Sequence, residues 1–582
     1  MKRLFLYLFI AFLQIECHMD IPGVPTANFT VQNNNCAAPC EVSFTSTAQN
    51  TSSYRWDFGD GQSSTEAHPK HSYSQSGTYS VKMIAKGEGG TVGNTENITI
   101  LNSNVDKIWD KTYGGSGNDD TKIVIPTQDG GFLLGGNSNS SASGNKTNSN
   151  YGDTDYWIIR LNANGDKLWD RTFGGIAKDE LVSVTTTSDG GFLLAGNSTS
   201  SASGNKSAPN YGGNDYWLVK INANGDKVWD KSYGGNNTDW LYFLIATPDG
   251  SFLIGGDSIS PTSGNKSALP YGGWDYWVVK INGNGDKLWD KSYGGSQPDG
   301  APKASISPDG GILLCGYAYS PVSGNKSAPN YGNYDIWLVK ITTSGDKLWD
   351  KSYGGSDNED YRTLISTQDG GFLLGGHSLS PASGNKSTPN YGDNDFWVVK
   401  INGNGDKLWD KTFGGSNREL LESIVATPDG GFLLGGHSLS PASGNKTILS
   451  YGGSDYWVVK INNDGDKIWE KAYGGSGDDW YYFMIATKDG GFLLGGDSSS
   501  MLSGNKTVST YGNYDMWVVK INDNGDKIWD KTYGGVASDG YPLVTSTLDG
   551  GYLLWGYTYS AASGNKVTPG YGYNDFWLVK IK

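Results

Sequence analysis

Residues 455–469 read Asp455-Tyr-Trp-Val-Val-Lys-Ile-Asn-Asn-Asp-Gly-Asp-Lys-Ile-Trp469. Two aromatic and β-branched runs flank Asn463-Asp464-Gly465, a segment that reverses the chain because Asn, Asp and Gly accept positive φ. Upstream, Ser423 to Thr427 and Phe432 to Gly436 form a second pair of runs around Asp429-Gly430-Gly431. The unit is thus four strands, Ser423 to Thr427, Phe432 to Gly436, Asp455 to Ile461 and Lys467 to Tyr473. A long loop, Ser438 to Ser454, carries Ser443-Gly444-Asn445-Lys446. Four antiparallel strands make one blade of a β-propeller.

The unit recurs every sixty residues. Asp-Lys-Xaa-Trp begins at 106, 166, 226, 286, 346, 406, 466 and 526, and Asp-Xaa-Trp at 155, 215, 275, 335, 395, 455, 515 and 575. Such a period, built from short strands, signals a propeller or a solenoid. The region opens on a fourth strand, Lys107 to Tyr113, and ends in a third, Asp575 to Lys582. The orphan first strand is expected to complete the last blade and seal the ring, leaving no sheet edge. A solenoid would need polar caps, and none is visible. Nor is a separate C-terminal sorting domain visible. The expected fold class is all-β: an eight-bladed β-propeller over 103–582, preceded by a smaller sandwich. Blade tryptophans such as Trp157, Trp409 and Trp457 read as core between blades.

Composition agrees. The 582 residues include 85 Gly, 21 Trp, 35 Tyr and 18 Phe, with a net charge of -15. An acidic surface repels nucleic acid and anionic membranes, so neither is expected as a partner. Lys2 and Arg3 precede an apolar run, Leu4 to Leu13, too short to span a bilayer, which needs ~20 residues. Residues 1–17 therefore read as a secretory signal and 18–23 as a linker. Cys17 is either a lipidation site or lies near a cleavage that frees the protein. Cys36 and Cys40, close together in an exported segment, are expected to form a disulfide. Cys315, standing where other repeats have Gly, Ala or Trp, is expected to be a buried thiol.

Residues 24–102 form a separate unit. Trp56-Asp57-Phe58-Gly59-Asp60-Gly61, His71-Ser72-Tyr73 and Gly77-Thr78-Tyr79-Ser80-Val81 alternate apolar and polar positions between turns, as in a β-sandwich. These residues closely resemble the polycystic-kidney-disease (PKD) domain, which implies an immunoglobulin-like sandwich acting as a spacer or contact module. Asp57 and Asp60 fit either a turn or a metal.

Two further resemblances concern the repeats. Gly-Gly-Phe-Leu-Leu-Gly-Gly with Asp-Tyr-Trp-Val-Val-Lys-Ile is similar to propeller-like repeats of secreted and surface proteins of Bacteroidetes-type bacteria. Asn404-Gly405-Asp406 running into Lys407-Leu408-Trp409 resembles, more weakly, the tryptophan-docking repeats of eight-bladed quinoprotein dehydrogenases. That family uses adjacent cysteines and a calcium-bound quinone, and this chain has no adjacent cysteines.

Long loops and blade-to-blade crossings open on one face, hairpin turns on the other. The loop face is expected to carry function. Three sets of residues reach it. One is acidic in every blade: Asp119, Asp179, Asp239, Asp299, Glu359, Glu419, Asp479 and Asp539. These could ring the central opening and attract a cation or a basic partner, or accept backbone N–H groups at the start of the inner strand. The second set varies: Asn137, Asn197, Asp257, Tyr317, His377, His437, Asp497 and Tyr557. So does the third: Trp240 with Tyr242, Trp480 with Tyr482, then Arg362 and Glu422. Exposed Trp and Tyr suit sugar faces or protein hot spots; the alternative is packing under loops. The ligand-contact candidates are Trp240, Tyr242, Tyr317, His377, His437, Trp480, Tyr482 and Tyr557.

His377 and His437, on neighbouring blades, are too few for a metal site. The sequence has no nucleophile elbow, phosphate loop or zinc-protease helix. The Asn-Xaa-Asn-Gly-Asp turns lack the full EF-hand ligand series, so calcium is a secondary option and no other cofactor is expected. Asn-Lys-Ser/Thr matches a glycosylation acceptor formally, but a plain turn fits a bacterial chain better. The expected protein is a monomeric, non-enzymatic, exported surface binder of polysaccharide or of an envelope protein. Alternatives are an envelope scaffold, which a resemblance to eight-bladed envelope lipoproteins would imply, and a polysaccharide hydrolase or lyase.

Overall fold

A computed structural model describes residues 23–32, 40–75, 77–100, 107–307 and 309–582. The expected signal segment, Cys17 and Cys36 lie outside these residues. Cys40 is disulfide-bonded. The chain divides into two compact units, residues 1–104 and 105–582.

The smaller unit packs two sheets. Phe29–Gln32, Cys40–Ser46 and Lys70–Tyr73 form one; Ser63–Ser64, Ser53–Asp57, Gly77–Gly87 and Gly90–Ile100 form the other. Trp56 is fully buried between them with Phe44, Phe58, Tyr73 and Met83, and its indole N–H donates to Glu66 O at 2.9 Å. The two aspartates of the motif serve turns. Asp57 accepts the Gly59 N–H and Asp60 the Gln62 N–H, each at 3.0 Å.

The larger unit holds, among the described residues, eight four-stranded antiparallel sheets in sequence order. We number these blades 1 to 8, starting at 119, 179, 239, 299, 359, 419, 479 and 539. In blade 6 the strands are Glu419–Ala426, Phe432–Ser438, Asp455–Ile461 and Lys467–Tyr473. The first two are longer than the sequence reading gave. Pairing runs on to Glu419 opposite Ser438, because the buried acid heads the inner strand. First strands of most adjacent blades touch one another, so they line the middle of the assembly. Blade 8 takes its fourth strand from the start of the region: Lys107–Tyr113 pairs antiparallel with Asp575–Ile581. Blade 8 also shares a core with blade 1, where Phe576 packs on Trp157 at 4.9 Å.

Blade 3 shows why the repeat is so strict. Its third strand, Asp275–Ile281, is buried at every position, one face toward each neighbour. Trp277 packs at 4.7 Å on Tyr216 of blade 2, whose hydroxyl donates to Trp277 O at 3.0 Å. The Trp277 indole N–H donates to Asp290 at 3.1 Å, and Asp290 also pairs with Lys287 and accepts the Ser267 and Ala268 N–H groups at 2.8 Å. The Ser-Gly-Asn-Lys loop thereby seals the outer strand. Its Asn265 reaches back to blade 2, accepting the Gly234 N–H at 3.0 Å and donating to Ser232 O at 2.8 Å. The turn Asn282–Asp286 closes itself, with Asn282 Oδ1 accepting two backbone N–H groups at 2.9 Å and Gly285 at φ 76. A Cβ at Gly285 would lie 2.8 Å from the Trp229 ring of blade 2, so this turn must be glycine where the tryptophan docks.

Candidate functional site

The eight acids at the heads of the first strands are fully buried. Asp179 accepts the Gly175 N–H at 2.7 Å and the Ser200 hydroxyl at 2.8 Å. Glu359 does the same with Gly355 at 3.0 Å and Ser378 at 2.8 Å. Asp119, Asp239, Asp299, Glu419, Asp479 and Asp539 repeat the glycine contact. They fasten each crossing to its own blade and present no ring of charge to solvent, which corrects that option. Behind each stands a second buried carboxyl, that of Asp155, Asp215 and their equivalents, which faces the acid of the next blade. Burial, with that neighbouring charge, pushes Asp155 up to about 7.

The second set is mostly a staple between blades. Asn137 accepts the Leu181 N–H and Asn197 the Leu241 N–H, both at 2.7 Å across to the next first strand. Asp257 and Asp497 do likewise with Ala301 at 2.7 Å and Tyr541 at 2.8 Å. His377 is buried and bonded to Asp360 at 2.9 Å. His437 is buried against the edge of Trp480 at 4.8 Å, and burial pushes it down to about 3, so it stays neutral. Both histidines are corrected from ligand contacts to interior residues. Among the described residues no three His, Cys, Asp or Glu side chains gather as metal ligands do.

Part of the variation that reaches solvent sits on a β-bulge. In every blade the first strand slips register against the second: Gly136 pairs with Thr121 but Gly135 with Ile123, leaving Lys122 unpaired. A bulge re-aims its extra side chain, here from the innermost strand. The bulge residues are Lys122, Val182, Tyr242, Arg362, Glu422 and Tyr482. Blades 4 and 8 have wider bulges containing Ala301-Pro302 and Tyr541-Pro542. There Ala301 and Tyr541 take φ of 51 and 53, a left-handed conformation that costs a non-glycine residue energy and is often kept at functional sites.

Two aromatic groups result, four blades apart. In the first, Tyr242 and the half-buried Trp240 flank Asp257, with Tyr317, Tyr319 and Tyr334 beyond at ring separations of 5.2–5.9 Å. In the second, Tyr482 and Trp480 flank Asp497, with Tyr541, Tyr557 and Tyr559 beyond. Both aspartates are buried, bonded to Tyr242 and Tyr482 respectively, and pushed up by burial to about 8. At neutral pH they are therefore mostly uncharged. A third arc is polar: Lys303 donates to Arg362 O at 3.2 Å, and both cations face Glu422, which burial raises and these cations lower.

The structure thus unites Trp240, Tyr242 and Tyr317, and separately Trp480, Tyr482 and Tyr557. Sequence reasoning missed Tyr319, Tyr334, Tyr541 and Tyr559, and missed Asp257 and Asp497 as centres. A signal was present in the recurrence of Asp-Gly-Xaa-Pro at 299 and 539 and of Asp-Trp-Xaa-Tyr at 239 and 479. The loop face is also not alone in having room. A groove of about 920 Å³ opens on the hairpin-turn face between blades 1 and 2, beside Gln128, Arg160, Trp169 and Asn224.

Residues 23–101 match the PKD domain family. The chain is 25% identical over 431 residues to the regulatory protein FlaEY of Caulobacter vibrioides, covering 66% of this chain and 43% of that protein. It is 34% identical over 85 residues to collagenase ColQ1 of Bacillus cereus, covering 14% of this chain and 8% of that protein. The chain spans less than half the length of either relative. A solved quinoprotein alcohol dehydrogenase-like protein from Bacteroides thetaiotaomicron is 11% identical, with coverage of 88% and 96% and a TM-score of 0.32.

Proposed function

We propose that this chain is an exported binding protein that presents its propeller, behind a PKD spacer, to an uncharged polysaccharide or an envelope protein, and that it performs no catalysis. The observation that carries this reading is the pair of aromatic groups on the inner-strand bulges. They gather several tyrosines and a tryptophan beside one buried carboxyl each, and those carboxyls are hydrogen-bonded rather than free. PKD domains are typical of secreted and surface proteins, and the collagenase and the Vibrio cholerae metalloprotease PrtV match this chain over short segments. In the turn at 282–286 the Asn282 and Asp286 oxygens already accept hydrogen bonds from the turn and from Lys231, so binding is expected without calcium. The scaffold reading draws on the Lys303, Arg362 and Glu422 arc, which suits a polar protein surface.

The test is a glycan array probed with the full chain, with and without EDTA, beside the double variant Trp240→Ala/Trp480→Ala. Binding that resists EDTA and is lost in the variant supports a carbohydrate-binding propeller. A blank array from folded protein moves the function to a protein partner.

A further inference from the structure

Among their named residues the two aromatic groups differ at two positions: Ala301 stands where the second has Tyr541, and Tyr334 stands where the second has Asn574. In blade 8 the Tyr541 ring stacks on Tyr482, with centroids 4.5 Å apart and planes 21° apart. In blade 4 the matching bulge residue is Ala301, held in the same conformation by the same contact, its N–H donating to Asp257 as that of Tyr541 donates to Asp497. Among the described residues no ring stacks on Tyr242, which is 43% exposed. Tyr541 thus shows what fits against this bulge tyrosine: a flat six-membered ring approached from the inner strand of the next blade.

We propose that the bare face of Tyr242 is a subsite for one pyranose ring of an uncharged glycan, and that Tyr541 closes the equivalent subsite on Tyr482. This rests on the carbohydrate reading above and makes it specific. A pyranose places its C–H face on an aromatic ring and turns its hydroxyls outward. Here they meet the hydroxyl edges of Tyr317 and Tyr319, the latter 41% exposed. Asp360, which accepts the Tyr334 hydroxyl at 3.0 Å and is held below the usual carboxylate range by its His377 hydrogen bond, and the chain's net charge of -15 both disfavour an acidic glycan.

The test exchanges the two residues, each already native to this bulge at this φ. Full-length wild type, Ala301→Tyr and Tyr541→Ala are titrated calorimetrically with cellohexaose, xylohexaose and mannohexaose, after equal urea midpoints establish equal folding. Wild type should bind one chain of a preferred sugar. Ala301→Tyr should weaken binding at least about tenfold, equivalent to ~1.4 kcal/mol. Tyr541→Ala should raise the stoichiometry to two. Wild-type binding unchanged by Ala301→Tyr, or a stoichiometry of one in Tyr541→Ala, overturns the subsite; loss in Trp240→Ala/Trp480→Ala would then leave the carbohydrate reading standing. No binding by any of the three proteins overturns both.

Discussion

Replacing Asp275 with asparagine should change how stability depends on pH. Asp275 heads the third strand of blade 3, is fully buried, and accepts the Tyr271 N–H at 2.6 Å. Burial comes first, and the facing Asp299 of blade 4 adds to it; together they push its carboxyl from 3.8 up to about 7, against opposing pulls from the Tyr271 N–H and, more weakly, Lys266. Between those two values the folded chain holds a proton that the unfolded chain has released. The stabilisation is therefore complete below pH 4 and is lost as pH rises through 7. One proton sets a limiting slope of ~1.4 kcal/mol per pH unit. Asparagine keeps an acceptor for Tyr271 but binds no proton. Unfolding free energies from urea titration should thus show the wild-type value falling relative to Asp275→Asn by about 2 kcal/mol between pH 5 and 6.5. A difference flat to within about 0.3 kcal/mol, the scatter of additive sites, refutes the account of a carboxyl raised by burial.

Trp277→Ala removes a fully buried indole between blades 2 and 3 and should cost about 3–5 kcal/mol in urea unfolding. Asp110→Ala breaks contacts from the first strand to the Trp577 indole at 3.2 Å and the Val567 N–H at 3.1 Å. It leaves the buried Trp577 indole N–H and the Lys107 ammonium without their carboxylate, so a loss of about 2–4 kcal/mol is expected in the same assay. Cys315 is buried and burial pushes its thiol up, so wild type and Cys315→Ser should react identically with a thiol reagent when native and differ by one thiol in urea.

The third and fourth strands of blade 6 were readable to the residue. Such periodicity is fixed, as in blade 3, by burial on both faces at Asp275–Ile281 and by the self-closing turn at Gly285. Inner strands were harder. Between Thr121 and Ile123 the bulge breaks the alternation that sequence patterns rely on, so the outward turn of Lys122 and its equivalents left no periodic trace. A histidine looks the same in sequence whether it lies on a surface or under a neighbouring tryptophan, and only the packing of His437 on Trp480 decides. The head-of-strand acids left two readings open because Asp179 has the chemistry of both; its Gly175 and Ser200 partners exist only once the crossing is folded.

Asp110 and Trp577 are bonded although 467 residues apart in the chain. During synthesis the strand at 107–113 is made first and waits for its partner until almost the whole repeat region has emerged. Joining ends so distant costs roughly 3 kcal/mol more loop entropy than joining the second and third strands of one blade. Contacts of such separation are also the slow ones to form. Until then the chain carries two complementary open edges, the lone strand and the three-stranded last blade. In dilute solution each edge finds the other on its own chain. The same pairing between two chains would be equally well bonded, so any strand-exchanged dimer of this chain would form at this clasp.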